Sequence, residues 1–202
     1  MAGSSTAPIG RPREFDLDEA LDRAVEVFWR QGYEATSLTD LTSAMKIGKP
    51  SLYAAFGSKE ELFRKALDRY TAGPGSYALR AALEPTAKRV AEAFLLGTIA
   101  ATTRPGSPHG CLGVQAALAA SDEGLVVHDL LAEWRDGARA GLEARFRRAR
   151  EEGDLADGSD PARLARYILT VSNGLAVQAA GGVAPEELRG VVEEALSTPS
   201  LG

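Results

Sequence analysis

The chain has 202 residues, 45% hydrophobic and 25% charged, the balance of a soluble globular protein and too apolar for wholly disordered material. Its 23 basic and 28 acidic side chains leave a net charge of −5, which argues against a coat for nucleic acid or anionic membrane but leaves room for one basic face. A single cysteine excludes an intrachain disulfide and a cysteine-based zinc finger, and the opening MAGSSTAPIGRPREF lacks the apolar core of a secretory signal.

Residues 1–13, rich in Ser, Thr, Pro and Gly, read as a mobile arm whose only charges are Arg11 and Arg13. A first helix starts at Asp16, a plausible N-cap, and carries Leu17, Leu21, Ala24, Val25 and Phe28 at helical spacing until Gly32 stops it. Thr36 or Ser37 caps a short second helix with Leu38, Leu41, Ala44 and Met45 inward. After a tight turn through Lys46-Ile47-Gly48, a third short helix spans Lys49 to Ala55, with Pro50 in its first turn. Ser58 and Glu61 form a capping box that opens a fourth helix reaching Thr71. Gly73-Pro74-Gly75 loosens the chain and is the expected boundary between a 14–72 head and a 73–202 body.

The body reads as further helices: Thr86–Thr102, Gly110–Ala120, Glu123–Glu152, Ala162–Ala180 and Pro185–Leu196. With no alternating strand pattern the fold class is all-α, with about nine helices in total. Tyr167–Ala184 carries no charge and approaches a bilayer span in length, but Ser172, Asn173, Gln178 and Gly181-Gly182 favour a helix buried between others. No membrane partner and a cytoplasmic location are therefore expected.

The head satisfies the needs of a helix-turn-helix. Leu38, Leu41 and Met45 pack the second helix. Leu52 and Phe56 anchor the third from behind, leaving Gly48-Lys49-Pro50-Ser51 at its exposed start and Tyr53 outward. Thr42 to Lys59 holds three lysines (Lys46, Lys49, Lys59) and no acid, whereas Glu14 to Glu26 holds six acids against Arg23. The one positive window thus falls on the turn and third helix, where phosphate contacts belong. Helix amides at Thr36-Ser37 and Ser58-Lys59 are expected to add phosphate donors.

The run Thr36-Ser37-Leu38-Thr39-Asp40-Leu41, then Ile47-Gly48-Lys49-Pro50-Ser51-Leu52-Tyr53-Ala54-Ala55-Phe56-Gly57-Ser58-Lys59-Glu60-Glu61-Leu62, resembles the DNA-binding domain of TetR-family transcriptional regulators. Its most specific part is Leu-Tyr-x-x-Phe-x-x-Lys-x-x-Leu, entered through Gly32-Tyr33-x-x-Thr36. Gly110-Cys111-Leu112 and Gly174-Leu175-Ala176-Val177-Gln178 resemble one branch of the family. The resemblance implies a homodimer on a palindromic operator in double-stranded DNA, acting as a repressor released by a small-molecule effector, with no cofactor, metal or catalysis. It implies DNA contacts by Thr36, Ser37, Thr39, Lys46, Lys49, Pro50, Ser51, Tyr53 and Lys59. Lys49 and Ser51 are assigned to base edges, Thr36, Tyr53 and Lys59 to phosphates, and Arg11 and Arg13 to an arm that orders on DNA. Two positions depart from the pattern. Lys46 stands where many members have Gly, and a left-handed backbone there costs a non-Gly residue about 1 kcal/mol. Pro50 stands where many have a small residue.

A helical body attached to a DNA reader suggests a control input, and pockets between helices are mostly apolar with a few polar groups. The expected liners are Phe94, Leu95, Thr98, Cys111, Gln115, Trp134, Tyr167, Val171 and Asn173, each of which core packing would also explain. Cys111 reads either as a reactive sensor or as a small buried hydrophobe. The apolar Tyr167–Ala180 segment and the last helix suit a four-helix dimer interface. Arg145 to Arg150, offset by Glu143, Glu151 and Glu152, reads as a solvated helix face. Competing readings are an enzyme and a helical scaffold that binds protein. His109 and His128 lack a nucleophile–acid or metal-ligand setting, and no phosphate-binding glycine loop is present.

Overall fold

In the first helix, α1 (Leu17–Ala35), the Asp16 carboxylate accepts from the amides of Asp18 and Glu19 at 2.8 and 3.1 Å, so the chain enters the helix with its first donors satisfied. The computed structural model describes residues 15–115 and 125–201; the expected arm with Arg11 and Arg13, and residues 116–120 of the helix expected through Ala120, lie outside them. At Gly32 the backbone leaves helical space at φ 74°, ψ 173°, and one further turn continues to Ala35. Next come α2 (Leu38–Met45), α3 (Lys49–Phe56) and α4 (Lys59–Ala72). After a 3-10 turn at Pro74–Ser76, the body contains α5 (Tyr77–Ala81), α6 (Ala87–Thr102), α7 (Leu112–Gln115), α8 (Leu125–Glu151), α9 (Pro161–Ala180) and α10 (Pro185–Leu196). The fold is all-α, with ten α-helices and no strand among the described residues.

Phe28 of α1 and Phe63 of α4 meet edge to face at 5.0 Å and are fully buried, with Leu41, Met45, Leu52, Phe56 and Leu62 closing the core of the head. This core does not stop at residue 72. Cys111, Leu112, Val127, Leu131 and Ala176 belong to the same cluster. At Gly73–Gly75, Gly75 is buried, and a Cβ there would lie 3.3 Å from the Tyr70 carbonyl oxygen. Two indole N–H groups reinforce the join. Trp29 donates to the Gly110 carbonyl at 2.9 Å, and Trp134 donates to the Thr71 hydroxyl at 2.9 Å.

A second core lies between α5, α6, the latter half of α8, α9 and α10, around Leu95, Phe146, Ile168 and Leu188. Two glycines seat aromatic rings in the body. A Cβ on Gly97 would come within 2.7 Å of Tyr77, and one on Gly113 within 2.4 Å of the Trp134 ring. The arginine-rich stretch departs from expectation at one position. Arg147, Arg148 and Arg150 are exposed, but Arg145 is buried and donates to the carbonyls of Glu84 and Pro85 at 2.9 and 3.0 Å, tying α8 to the turn before α6. Its long spacing from those carbonyls hides this role from any local reading.

Candidate nucleic-acid interface and body cavity

Local chemistry sets the pose of α3. Ser37 and Asp40 form a reciprocal cap on α2, and Ser58 and Glu61 do the same on α4. Hydrogen bonds from Ser37 hold the Asp40 carboxyl below the usual carboxylate range, and the Ser58 amide does the same for Glu61. Between these helices Leu52 and Phe56 fix α3 from behind, and Lys65 of α4 donates to the Phe56 carbonyl at 3.2 Å, closing its C-terminal end. Lys65 was not among the expected residues; nothing in its local spacing marks it.

The outer surface of α3 then consists of Lys49, Pro50, Ser51, Tyr53 and Ala54, with Tyr53 50% exposed. Lys46, in the turn, is exposed and left-handed at φ 56°, ψ 40°, the one non-glycine with positive φ among the described residues. Ser37 and Thr39 are exposed beside it. The Lys59 ammonium sits 4.3 Å from the centre of the Tyr33 ring, held at the edge of the same surface.

Thr36 is a correction. Its side chain is buried and donates to the Gly32 carbonyl at 2.6 Å, where it braces the break at the end of α1, so its hydroxyl does not face a phosphate. The expected helix-end donors are corrected in part as well. The capping boxes occupy the amides of Ser37, Asp40, Ser58 and Glu61 and place a carboxylate at each end. The start of α3 has no side-chain cap and no acid in its first turn, so its amides are the better phosphate donors. The acids of α1 are drawn aside: Arg69 of α4 binds Asp22 through two hydrogen bonds at 2.8 and 2.9 Å and reaches Asp18 at 3.4 Å.

Behind the head lies a cavity of about 350 Å³ bounded by the end of α4, α5, α6, α7, α8 and α9. Of the expected residues, Phe94, Thr98, Cys111, Trp134 and Asn173 line it. Leu95, Gln115, Tyr167 and Val171 do not. Leu95 follows Phe94 by about 100° of helix turn and is buried in the second core. Gln115 donates to the His109 carbonyl at 2.9 Å. Tyr167 is 41% exposed, and Val171 packs on the second core. Gln178, expected inside, is exposed on α9. Tyr70, Thr71, Tyr77 and Ser172 are walls that sequence reasoning missed. Burial lifts the Tyr77 hydroxyl to about 12 and raises Tyr70 well above its ordinary value, so both are neutral. Among the described residues no group of three or more metal-ligating side chains comes together, and no helix is long and apolar enough to cross a membrane.

A four-helix head that offers an uncapped, cationic third helix, fused to a helical body with an internal cavity, defines a helix-turn-helix DNA-binding protein. Residues 20–66 match the family model for bacterial regulatory proteins of the tetR family, and residues 87–194 match a tetracyclin repressor-like C-terminal domain. The chain belongs to the TetR family of transcriptional regulators and is not an enzyme. It is 33% identical to the transcriptional repressor ComR of Escherichia coli K12 over 93% of this chain and 92% of that one. It is similar to the regulator CifR, solved as a cysteine mutant with 26-bp double-strand operator DNA, at 46% identity and TM-score 0.88 over 92% of this chain and 98% of that one. A TetR regulator from Chloroflexus aurantiacus shares the fold at 20% identity and TM-score 0.75, covering 88% and 90% of the two chains.

Proposed function

We propose that the protein is a cytoplasmic repressor that binds a palindromic operator as a homodimer, through residues 14–72, and is released when a small effector enters the cavity of the 73–202 body. The observation that carries this reading is the pose of α3, whose back is locked by Leu52 and Phe56 while its front and the preceding turn carry Lys46, Lys49, Ser51 and Tyr53. In this reading Lys49 and Ser51 meet base edges, Tyr53, Lys46 and Lys59 meet phosphates, and Ser37, Thr39 and Pro50 flank them. Names and operator-bound structures of similar proteins support the assignment. Dimerisation is supported by the outward faces of α9 and α10, where Tyr167, Val177 and Val191 are 41–50% exposed. Twofold pairing through such a face gives a four-helix bundle and presents two α3 helices to successive major grooves.

Effector control is supported by what the cavity touches. Thr71 and Trp134 line it and bond to each other across the head–body join, and Cys111 follows Gly110, the acceptor of the Trp29 indole. A ligand that favours one arrangement of these contacts shifts the spacing of the paired α3 helices. The decisive experiment selects bound fragments from random DNA, then titrates the selected duplex against salt. A twofold-symmetric site, and a log–log slope near −0.9 per phosphate contact, are expected. A flat salt response or a monomeric protein overturns the proposal.

A further inference from the structure

We infer that the cavity takes an uncharged, mainly apolar molecule carrying one hydrogen-bonding polar group, and that Asn173 reads that group; the inference rests on the effector reading of the cavity. A cavity of 150 Å³ lined by aliphatic and aromatic side chains accommodates benzene, so by proportion about 350 Å³ accommodates roughly fourteen non-hydrogen atoms.

The walls settle the charge. Tyr70, Tyr77, Phe94 and Trp134 supply rings, with Tyr77 and Phe94 edge to face at 5.5 Å. Among the described residues no Lys, Arg or His lines the space, and the only carboxylate that does, Glu133, is exposed to solvent. An anion seated inside would lose its hydration and gain no counter-ion, and a cation would find its partner only on the wet side.

The polar groups inside are not equivalent. Thr98 donates to the Phe94 carbonyl at 3.0 Å and shares a 2.8 Å hydrogen bond with Ser172, so this pair satisfies itself. Asn173 is half-buried, lines the cavity and makes no hydrogen bond to any described residue. Its amide brings two N–H donors and one carbonyl acceptor to an apolar wall, on a helix where asparagine is a poor former. A primary amide is the complement that uses both kinds of group, and a lone carbonyl or hydroxyl uses one.

The test is calorimetric titration of the full chain with three amides of different shape, phenylacetamide, 2-naphthamide and adamantane-1-carboxamide, each beside its carboxylate. Naphthalene and 2-naphthylmethylammonium complete the set. At least one amide is expected to bind one per chain with a Kd under about 1 mM, at least about tenfold tighter than its carboxylate. Asn173→Leu should remove most of that amide's advantage over naphthalene, while naphthalene binds as before. Gly137 of α8 lines the cavity, is exposed and has open space where a Cβ would stand, so Gly137→Phe should weaken all uncharged probes without unfolding the chain. Equal or tighter binding of a carboxylate or of the ammonium overturns the inference, as does an Asn173→Leu protein that keeps the amide preference. Failure of all three amides in a protein that still binds DNA overturns the ligand class and leaves the regulator intact. An amide that binds without changing affinity for the selected duplex supports the ligand class and sinks the effector reading.

Discussion

In the head, helix starts are settled by side chains two or three residues away: Asp16 for α1, Ser37 with Asp40 for α2, Ser58 with Glu61 for α4. In the body the decisive contacts come from far along the chain. Asp154 accepts from the Ala87 amide at 2.5 Å across 67 residues, Gly97 makes room for Tyr77, and Arg145 holds carbonyls 60 and 61 residues away. The head is thus a set of local instructions that also fix its outward face, whereas the inner surface of the body exists only after distant segments have met.

The strongest way to challenge that contrast is to damage the head core and ask whether the body notices. Leu52→Ala, at a fully buried site, should lower stability by about 2–5 kcal/mol. Because the head core continues into α7, α8 and α9, denaturant unfolding followed by circular dichroism should remain a single transition. A separate early step confined to the head would break the claim of a shared core. At the DNA surface the opposite pattern is expected. Lys49→Ala should weaken binding to the selected duplex by about 1–3 kcal/mol while shifting stability by less than about 0.5 kcal/mol. The pair of measurements checks that α3 has a structural back and a functional front.

The join itself is next in size. Trp29→Phe leaves the Gly110 carbonyl without its donor and should cost about 1–3 kcal/mol of stability. The smaller phenyl ring also withdraws atoms from the contact with Tyr70, so hydrogen bond and packing are lost together. Lys46→Gly should act with two signs: a gain of about 1 kcal/mol in stability from relief of the left-handed backbone, and a salt slope shallower by about one charge. The smallest effect concerns acid. Asp40 and Glu61 have carboxyls lowered from 3.8 and 4.5 by their capping bonds, so the help they give is complete above those values and fades as pH falls through the lowered ones. Ser37→Ala, which removes the hydroxyl donor to Asp40, and Glu61→Gln, which removes the carboxyl held by the Ser58 amide, should flatten the acid limb of the melting-temperature profile below the usual carboxylate range. An unchanged limb would show that the boxes do not carry it.

What could be read beforehand follows the same division. The bounds of α10 agree with the expected Pro185–Leu196, and α2, α3 and α4 lie within a residue or so of theirs, because caps, glycines and apolar spacing are short-range signals. The direction of Tyr53 and the anchoring by Leu52 and Phe56 followed from helical geometry alone. Thr36 misled because a Thr at a helix entrance serves equally as a cap, a phosphate donor or a brace, and only the break at Gly32 chooses among them. Tyr77 was invisible because its seat on Gly97 lies twenty residues on, past a turn with no periodicity. Tyr70 and Thr71 read as head residues from the sequence, and their second role as cavity walls appears once α8 and α9 lie against them.

The join between Trp29 and Gly110 also bears on engineering. Reader modules are often grafted onto foreign sensing halves to rewire a genetic circuit. Here such a graft would have to carry the receiving carbonyl, the apolar patch around it and the indole together, because a cut at the glycine-rich turn divides the apolar cluster that residues of both halves share. A chimera designed on that basis has its seam drawn through surfaces, not through a linker.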